Sequence, residues 1–538
     1  MSQLEEIIQK NFPNIRNGLK DYQEKVYKEL LKNDANFLYI LPTGAGKSLI
    51  YQLYPFIKNQ WGIVISPLIS LMKDQTLNSN FPTHAIHSEI ESRQEKIDII
   101  KQASKGDFKL LYIAPERFTS ISLQSILENS KVPPSFLIVD EAHCLSEWGR
   151  DFRLDYLRIK EVSDRLNLRI IACTATLSQR SKSEIMKDLG IPDSNFISPI
   201  KPDRDNLKIV LENVSDKKEQ KEILKNKILE LKPKGKGLVF VISPDTAKSL
   251  ADEFKNLCTT DWFAGVNARE DNGKKRSKKE RDRVQKEWLD NKIDVLFCTS
   301  AFGMGLDKPN IRWIIHLELP SSLEAYWQQI GRAGRDGLLS ECFVLSTNQE
   351  FRFHKQNLTK KFGNIEKIEE LMDFLTEEDD VKISMGIQKN TSGDLEKRQF
   401  LSWILNKYGV FEPLFEYIPS IQFEVFESKG ITVEGIHFPI GNHDYKMKNF
   451  PKPNRVSHFV RNLYQLYYEG KIHINREEEE FIDLKFLVNK EIYQKEKINI
   501  KNEIIDLYNY KKTKIEQIQN WNQSNNTTPN QFIYNELI

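Results

Sequence analysis

The sequence predicts an α/β protein of two tandem parallel-sheet lobes, followed by a mainly helical or mixed C-terminal region. Three observations carry this. Short apolar runs rich in Val, Ile, Leu and Phe alternate with helix-like stretches, the texture of buried parallel strands covered on both faces. After a polar stretch near Ser198–Asn206 the alternation restarts. From about Phe351 it gives way to charged, helix-like segments with aromatic clusters.

In the first lobe, residues 1–202, the expected strands are Phe37–Leu41, Gly62–Ser66, Lys109–Ala114, Phe136–Asp140 and Arg169–Ala175. In the second, residues 203–350, they are Gly237–Ser243, Asp294–Ser300, Ile311–Leu317 and Glu341–Ser346. Residues 351–519 are expected to form an accessory domain. Its aromatic-rich pieces, YGVFEPLFEYI and HFVRNLYQLYYEGKI, fit either a winged-helix-like fold or ordinary core packing. Residues 520–538, beginning NWNQSNNTTPNQ, read as a disordered tail.

Length and composition agree with several packed cores: 538 residues, 39% of them hydrophobic, make a multidomain globular chain. The formal charge is only +2, from 78 basic and 76 acidic residues, so no global field draws in a polyanion and any nucleic-acid site is a local groove. The basic run Lys274–Lys286 interleaves Glu280 and Asp282 and reads as a solvated face or mobile insertion, with phosphate binding as the lesser alternative. The opening MSQLEEIIQKNF has no apolar run, and no window approaches the roughly 18 apolar residues of a membrane span. A soluble, cytoplasmic protein with no membrane partner is expected. The five cysteines are scattered without zinc-knuckle spacing, so neither disulfides nor structural zinc is expected.

The first strand runs into Pro42-Thr43-Gly44-Ala45-Gly46-Lys47-Ser48 and then a helix-like segment. Small residues there let backbone N–H groups approach a polyphosphate; Thr43, Gly44 and Gly46 shape the loop, Lys47 reaches the β and γ phosphates, and Ser48 ligates Mg2+. The apolar run FLIV ends in Asp140-Glu141-Ala142-His143. Paired acids at the carboxyl end of a buried strand suit ATP chemistry, with Asp140 on the magnesium shell and Glu141 deprotonating the attacking water. The gap between Lys47 and Asp140 allows two motifs on neighbouring strands of one lobe.

A second lobe must bring charge to the same phosphate if the chain is a motor. Ser321-Ser322-Leu323-Glu324 resembles a capping box, and the helix it starts would carry Gln328, Arg332 and Arg335 on one face. Two guanidiniums pointing one way fit an arginine finger supplied across the cleft. After the acids, Trp148 and Phe152 interleaved with Arg150 and Arg153 suit a loop that stacks on or senses bases, or else packs as a buried aromatic.

These stretches carry a resemblance. Through LPTGAGKSLIYQL, VISPLISLMKDQ, LLYIAPERF, DEAHCLSEWGRDFR, TAT, AFGMGLDKPNIR and YWQQIGRAGRDG, the chain resembles RecQ-family DNA helicases of superfamily 2 from about Leu19 to Ser346. The resemblance implies two RecA-like lobes and an ATP- and magnesium-dependent motor. Its partner would be DNA, single-stranded and at duplex junctions, with 3′ to 5′ translocation. It assigns Gln23 to the adenine edge, Gln328, Gly305 and Asp307 to the inter-lobe ATP site, and His143, Thr174 and Thr176 to coupling. The stretch Ser66–Asp74, with Lys73, and the residues around Arg117 would line the single-strand track.

The chain also departs from the family pattern. Lys20-Asp21-Tyr22 precedes Gln23 without the usual Arg, and Gly237–Pro244 lacks the Asn-Ser-Arg ending. No cysteine follows Cys342, so the family's four-cysteine zinc module is not expected. An RNA helicase, or a DNA-stimulated ATPase switch that barely unwinds, are the alternatives.

Overall fold

The computed structural model describes residues 3–523, apart from isolated positions and the segments 148–155, 201–203, 266–275, 303–307, 385–399, 415–419, 447–458, 467–470 and 479–482. Lobe 1 is built on β1 (Phe37–Ile40), β2 (Gly62–Ile65), β3 (Thr83–Ile86), β4 (Leu110–Ile113), β5 (Phe136–Val139), β6 (Arg169–Thr174) and β7 (Phe196–Ile197). They form one parallel sheet in the order β3-β4-β2-β5-β6-β1-β7. Every residue of β1, β2, β4, β5 and β6 is buried, and the two-residue period of a strand sends alternate side chains into two cores. Leu38, Ile40, Leu137 and Val139 enter one; Phe37, Tyr39, Phe136 and Ile138 enter the other. That double burial is why these strands read as unbroken apolar runs.

Lobe 2 repeats the plan with β8 (Leu207–Leu211), β9 (Lys236–Phe240), β10 (Thr260–Phe263), β11 (Val295–Cys298), β12 (Ile311–His316) and β13 (Ser340–Val344). Its parallel sheet runs β10-β11-β9-β12-β13-β8. Both sheets thus have helices on two faces and ligand positions at their carboxyl ends. No described helix is long and apolar enough to cross a membrane.

One expectation about the lobe 1 motifs is corrected. β6 stands between β1 and β5, so the phosphate loop and the acids are not on neighbouring strands. The end of β6 fills the gap: the Leu41 amide donates to the Thr174 carbonyl at 3.2 Å, and the Cys173 thiol to Asp140 Oδ1 at 3.3 Å.

Beyond lobe 2 come the helices Glu350–Phe362 and Ile368–Thr376 and the strands β14 (Asp380–Ser384), β15 (Phe411–Leu414), β16 (Ser420–Val425), β17 (Ile431–Val433), β18 (Ile436–Phe438), β19 (Gly441–Lys446), β20 (Ile472–Glu478) and β21 (Asp483–Val488). These strands make antiparallel sheets β14-β21-β15 and β19-β16-β20 and a β17-β18 hairpin. The region does not stand apart from the lobes. Phe423, Val425, Ile431, Val433, Phe438 and Ile472 belong to a lobe 1 core, whereas Phe362, Met372, Leu375 and Phe411 belong to a lobe 2 core. The chain closes with a helix, Lys490–Gln523, whose Ile500, Ile504, Leu507, Ile515, Ile518 and Trp521 also enter that lobe 2 core.

Residues 520–523, expected in a disordered tail, are the last turn of this helix. Trp521 is fully buried with its ring 4.9 Å from that of Tyr326, and burying an indole outweighs the polar composition around it. Residues 524–538 lie outside the described residues.

Candidate functional site

At the end of β1 the chain turns through Leu41–Gly46 into the helix Lys47–Ile57. Gly44 and Gly46 have φ of 81° and 76°, a left-handed conformation that glycine adopts without steric cost. A β-carbon on Gly46 would also lie 2.5 Å from Nε2 of Gln23. Gln23 braces the loop, donating from Nε2 to the Ala45 carbonyl at 2.9 Å and accepting the Lys20 amide at 2.9 Å. Its carboxamide is thus anchored against the phosphate loop. Ser48 lies in the first turn of the helix, where free N–H groups and the helix dipole favour an anion.

The acids face this loop. Asp140 is buried; its Oδ1 accepts the Glu141 amide at 2.9 Å, and its Oδ2 accepts the Tyr51 hydroxyl at 3.4 Å. Burial, and then the Glu141 charge, push its pKa up, with Lys47 opposing. Glu141 has φ of 51°. A non-glycine residue in that region is held by its surroundings against a local cost, as is common where a side chain must be aimed. Burial would raise the Glu141 pKa, but Lys47 Nζ at 3.2 Å and His143 Nδ1 at 3.3 Å outweigh it and hold the carboxylate ionised. His143 Nδ1 also lies 2.9 Å from Thr174 Oγ1, which reaches the Thr176 carbonyl at 3.4 Å. A polar chain therefore runs from Lys47 through Glu141 and His143 to the segment Thr174–Thr176. Ser66 Oγ and Thr176 Oγ1 are buried with no hydrogen-bond partner among the described residues.

Lobe 2 closes the site, though not by the expected continuous helix. That helix spans Leu323–Ile330 and is capped by Ser322, whose Oγ accepts the Ala325 amide at 3.2 Å. Glu324 is therefore not the reciprocal partner of a capping box; its carboxylate binds Lys514. Gly331 ends the helix and Gly334 takes φ of 56°, so Arg332 and Arg335 project from a turn, not from one helical face with Gln328. The turn nonetheless reaches lobe 1: a β-carbon on Gly44 would lie 4.0 Å from Arg335 Cγ, and one on Gly331 3.7 Å from Thr43 Cβ. Arg332 is buried, and burial followed by the nearby Arg335 brings its pKa down to about 10, still cationic at neutral pH. Gln328 lines the cleft between the lobes.

Two residues that the sequence did not single out hold this turn. Arg204 donates to the carbonyls of Gly331, Ala333 and Gly334 at 3.3, 2.6 and 3.0 Å, and Asn206 Nδ2 to that of Gly334 at 2.8 Å. Their only sequence signal is a charged residue just before β8. Arg204→Met is expected to lower ATP turnover about tenfold, the equivalent of ~1.4 kcal/mol of lost positioning. Arg204→Lys should not restore it, because a single ammonium cannot reproduce the fork. Steady-state kinetics check this; full turnover in Arg204→Met would show that the turn holds itself.

Lys73 sits on the helix Ile69–Leu77 and Arg117 on the short helix Pro115–Phe118, which follow β2 and β4 at the carboxyl edge of lobe 1. Trp148, Arg150, Phe152, Arg153, Gly305 and Asp307 lie outside the described residues.

The chain has clear relatives. The DEAD/DEAH box helicase model matches residues 20–185 and the helicase conserved C-terminal domain model residues 219–337. A probable ATP-dependent DNA helicase RecS of Bacillus subtilis (strain 168) is 33% identical over 382 residues, covering 69% of this chain and 72% of the relative. The ATP-dependent DNA helicase RecQ of the same organism is 33% identical over 370 residues, covering 66% of this chain and 60% of the relative, so this chain spans less than two thirds of that protein. In fold, the lobes are similar to S. cerevisiae Dbp5 bound to RNA and ADP BeF3, with a TM-score of 0.50 at 17% identity, covering 68% of this chain and 92% of that one. Two parallel-sheet lobes in tandem, a phosphate loop facing paired acids, helicase models that match within each lobe, and 33% identity over 72% of the RecS relative place this chain in the RecQ family of ATP-dependent DNA helicases.

Proposed function

We propose that this chain is a DNA-stimulated, magnesium-dependent ATPase that moves 3′ to 5′ along single-stranded DNA and separates duplex at a junction. The observation that carries it is the approach of Arg335 in lobe 2 to Gly44 in the lobe 1 phosphate loop. A nucleotide site completed from two lobes makes hydrolysis depend on how those lobes sit, which is what a motor needs and a one-lobe ATPase lacks.

The residues suit a magnesium nucleoside triphosphate. The left-handed Gly44 and Gly46 shape a tight loop before the helix, Lys47 offers a mostly buried ammonium, and Ser48 and Asp140 offer the hard oxygens that Mg2+ prefers. Bound ATP supplies the scissile phosphoanhydride bond. Lys47, now paired with Glu141, can turn to phosphate oxygen, leaving Glu141 as an ionised base for water. Arg332 and Arg335 neutralise charge that grows in the transition state. The hydrogen bonds from Glu141 through His143 to Thr174 connect this base to the segment assigned to coupling. Ser66, Lys73, Arg117 and the loop bearing Trp148 are the proposed strand contacts, and Gln23 with Gln328, Gly305 and Asp307 the remaining nucleotide contacts.

Strand displacement on forked DNA and forked RNA with matched single-stranded arms tests this reading. ATP-dependent displacement of DNA with a 3′ arm is expected. Displacement of RNA alone would make it an RNA helicase, and DNA-stimulated hydrolysis without displacement would make it a switch.

A further inference from the structure

We infer that the C-terminal helix Lys490–Gln523 is a tie between the lobes, and that Tyr510 and Lys514 are positioning residues for the ATP site. Tyr510 and Lys514, four residues apart, share one helical face. The Tyr510 hydroxyl lies 2.9 Å from Ser178 Oγ of lobe 1, and the Arg180 guanidinium sits 4.5 Å from the Tyr510 ring centroid. One turn on, Lys514 Nζ is 2.6 Å from Glu324 Oε1 of lobe 2, in a pair whose side chains are only 12% and 8% exposed. The end of the helix is fixed to lobe 2, where Asn522 donates to Asn348 at 3.0 Å and Trp521 packs on Tyr326, and to the helix that follows it, where Gln519 accepts from Lys355 at 3.1 Å. A helix rooted in lobe 2 thus reaches lobe 1 through a specific polar contact.

The two points it touches matter. Ser178 caps the helix Gln179–Asp188 through the Ser181 amide and follows Thr174 and Thr176, whose segment connects through His143 to Glu141. Glu324 lies on the helix that runs into Arg332. The same helical turn also walls a cavity of about 480 Å³ between the lobes, with His143 and Ser181 on one side, Gln328 and Arg332 on the other, and Tyr510 and Lys514 closing it. One face of the helix therefore sets the distance between the base side of the ATP site and its arginine side. A helix serving only the lobe 2 core would have no use for Tyr510 at Ser178.

The turnover part of this inference rests on the proposed function; the distance part does not. All five native cysteines are buried, so donor and acceptor dyes can be placed at Lys187→Cys in lobe 1 and Lys225→Cys in lobe 2, both exposed positions. Energy transfer in the full chain without nucleotide reads the tie itself. Tyr510→Phe, which keeps the ring over Arg180, and Lys514→Met are each expected to lengthen or broaden the inter-lobe distance. In the same variants kcat for ATP should fall several-fold with little change in ATP affinity, because lobe 1 alone holds the phosphate loop. Ser178→Ala combined with Tyr510→Phe should be less than additive in both readouts. Unchanged distances in both single variants, or full additivity, would overturn the tie even if turnover fell. A parent chain that hydrolyses no ATP would sink the proposed function, and the distance measurement would still decide the tie.

Discussion

Arg335→Ala is expected to lower ATP turnover by about a thousandfold or more with ATP affinity nearly unchanged, the behaviour of a charge that acts in the transition state. The expectation rests on place. Arg335 comes from the turn after the helix Leu323–Ile330, and its Cγ lies 4.0 Å from where a β-carbon on Gly44 would stand, so the residue approaches the Gly44 loop from the other lobe. Arg332 is the more buried of the two and lies close enough to Glu141 to feel its charge. Loss of either removes cationic charge in a partly desolvated site, where each charge counts for more than in water. Arg335→Lys should recover only a small part, since an ammonium presents no planar fork. Single-turnover hydrolysis and nucleotide titration separate the two quantities. Near-normal hydrolysis would remove the argument for a two-lobe site.

Glu141→Gln and Lys47→Ala should both abolish measurable turnover yet differ in what they bind. Removing the general base costs about a hundredfold to ten-thousandfold in rate, and the Glu141→Gln change leaves Gly44, Gly46, Lys47 and Ser48 intact. That variant should retain ATP and trap it. It also frees Lys47 from its 3.2 Å ion pair, so its ATP affinity should equal or exceed the parent's. Lys47→Ala instead removes the ammonium that compensates phosphate charge, and leaves Glu141 and Asp140 facing any polyphosphate without it. Its affinity should drop steeply. Equal loss of ATP binding in both variants would contradict the roles given to them.

How much of this was legible in the sequence depends on whether a feature is local. The places of the glycine-containing turn after β1 and of Asp140 and Glu141 after β5 could be read directly, because a loop of small residues after an apolar strand and acids at a strand end are adjacent in the chain. The lobe strands missed were β3, which reads THAI, β7, which reads only FI, β8, which reads LKIVL, and β10, which reads TDWF. Each lies at a sheet edge, where exposure admits polar residues and breaks the apolar run that marks a central strand. The length of the arginine helix was misjudged because spacing alone continued the pattern through Gly331 and Gly334, where the backbone leaves the helix.

Long-range features were the least legible. Arg204 and Asn206 act on carbonyls more than a hundred residues away, and β21 pairs with both β14 and β15, contacts with no local signature. The same holds for Tyr510 and Ser178. The final helix looked like a charged segment running into a polar tail because its apolar stripe, Ile500, Ile504, Leu507, Ile515, Ile518 and Trp521, is diluted by lysines and glutamates on its other faces. Its significance appears only when both lobes are in view.

The central claim is that one nucleotide is held by both lobes, and a crystal structure of the full chain with a non-hydrolysable ATP analogue and magnesium tests it most directly. The account predicts the γ-phosphate between Lys47 of lobe 1 and Arg332 and Arg335 of lobe 2, with Asp140 and Ser48 at the metal. A nucleotide seated on lobe 1 with both arginines turned away to solvent, or bound outside the Thr43–Ser48 loop, would contradict it.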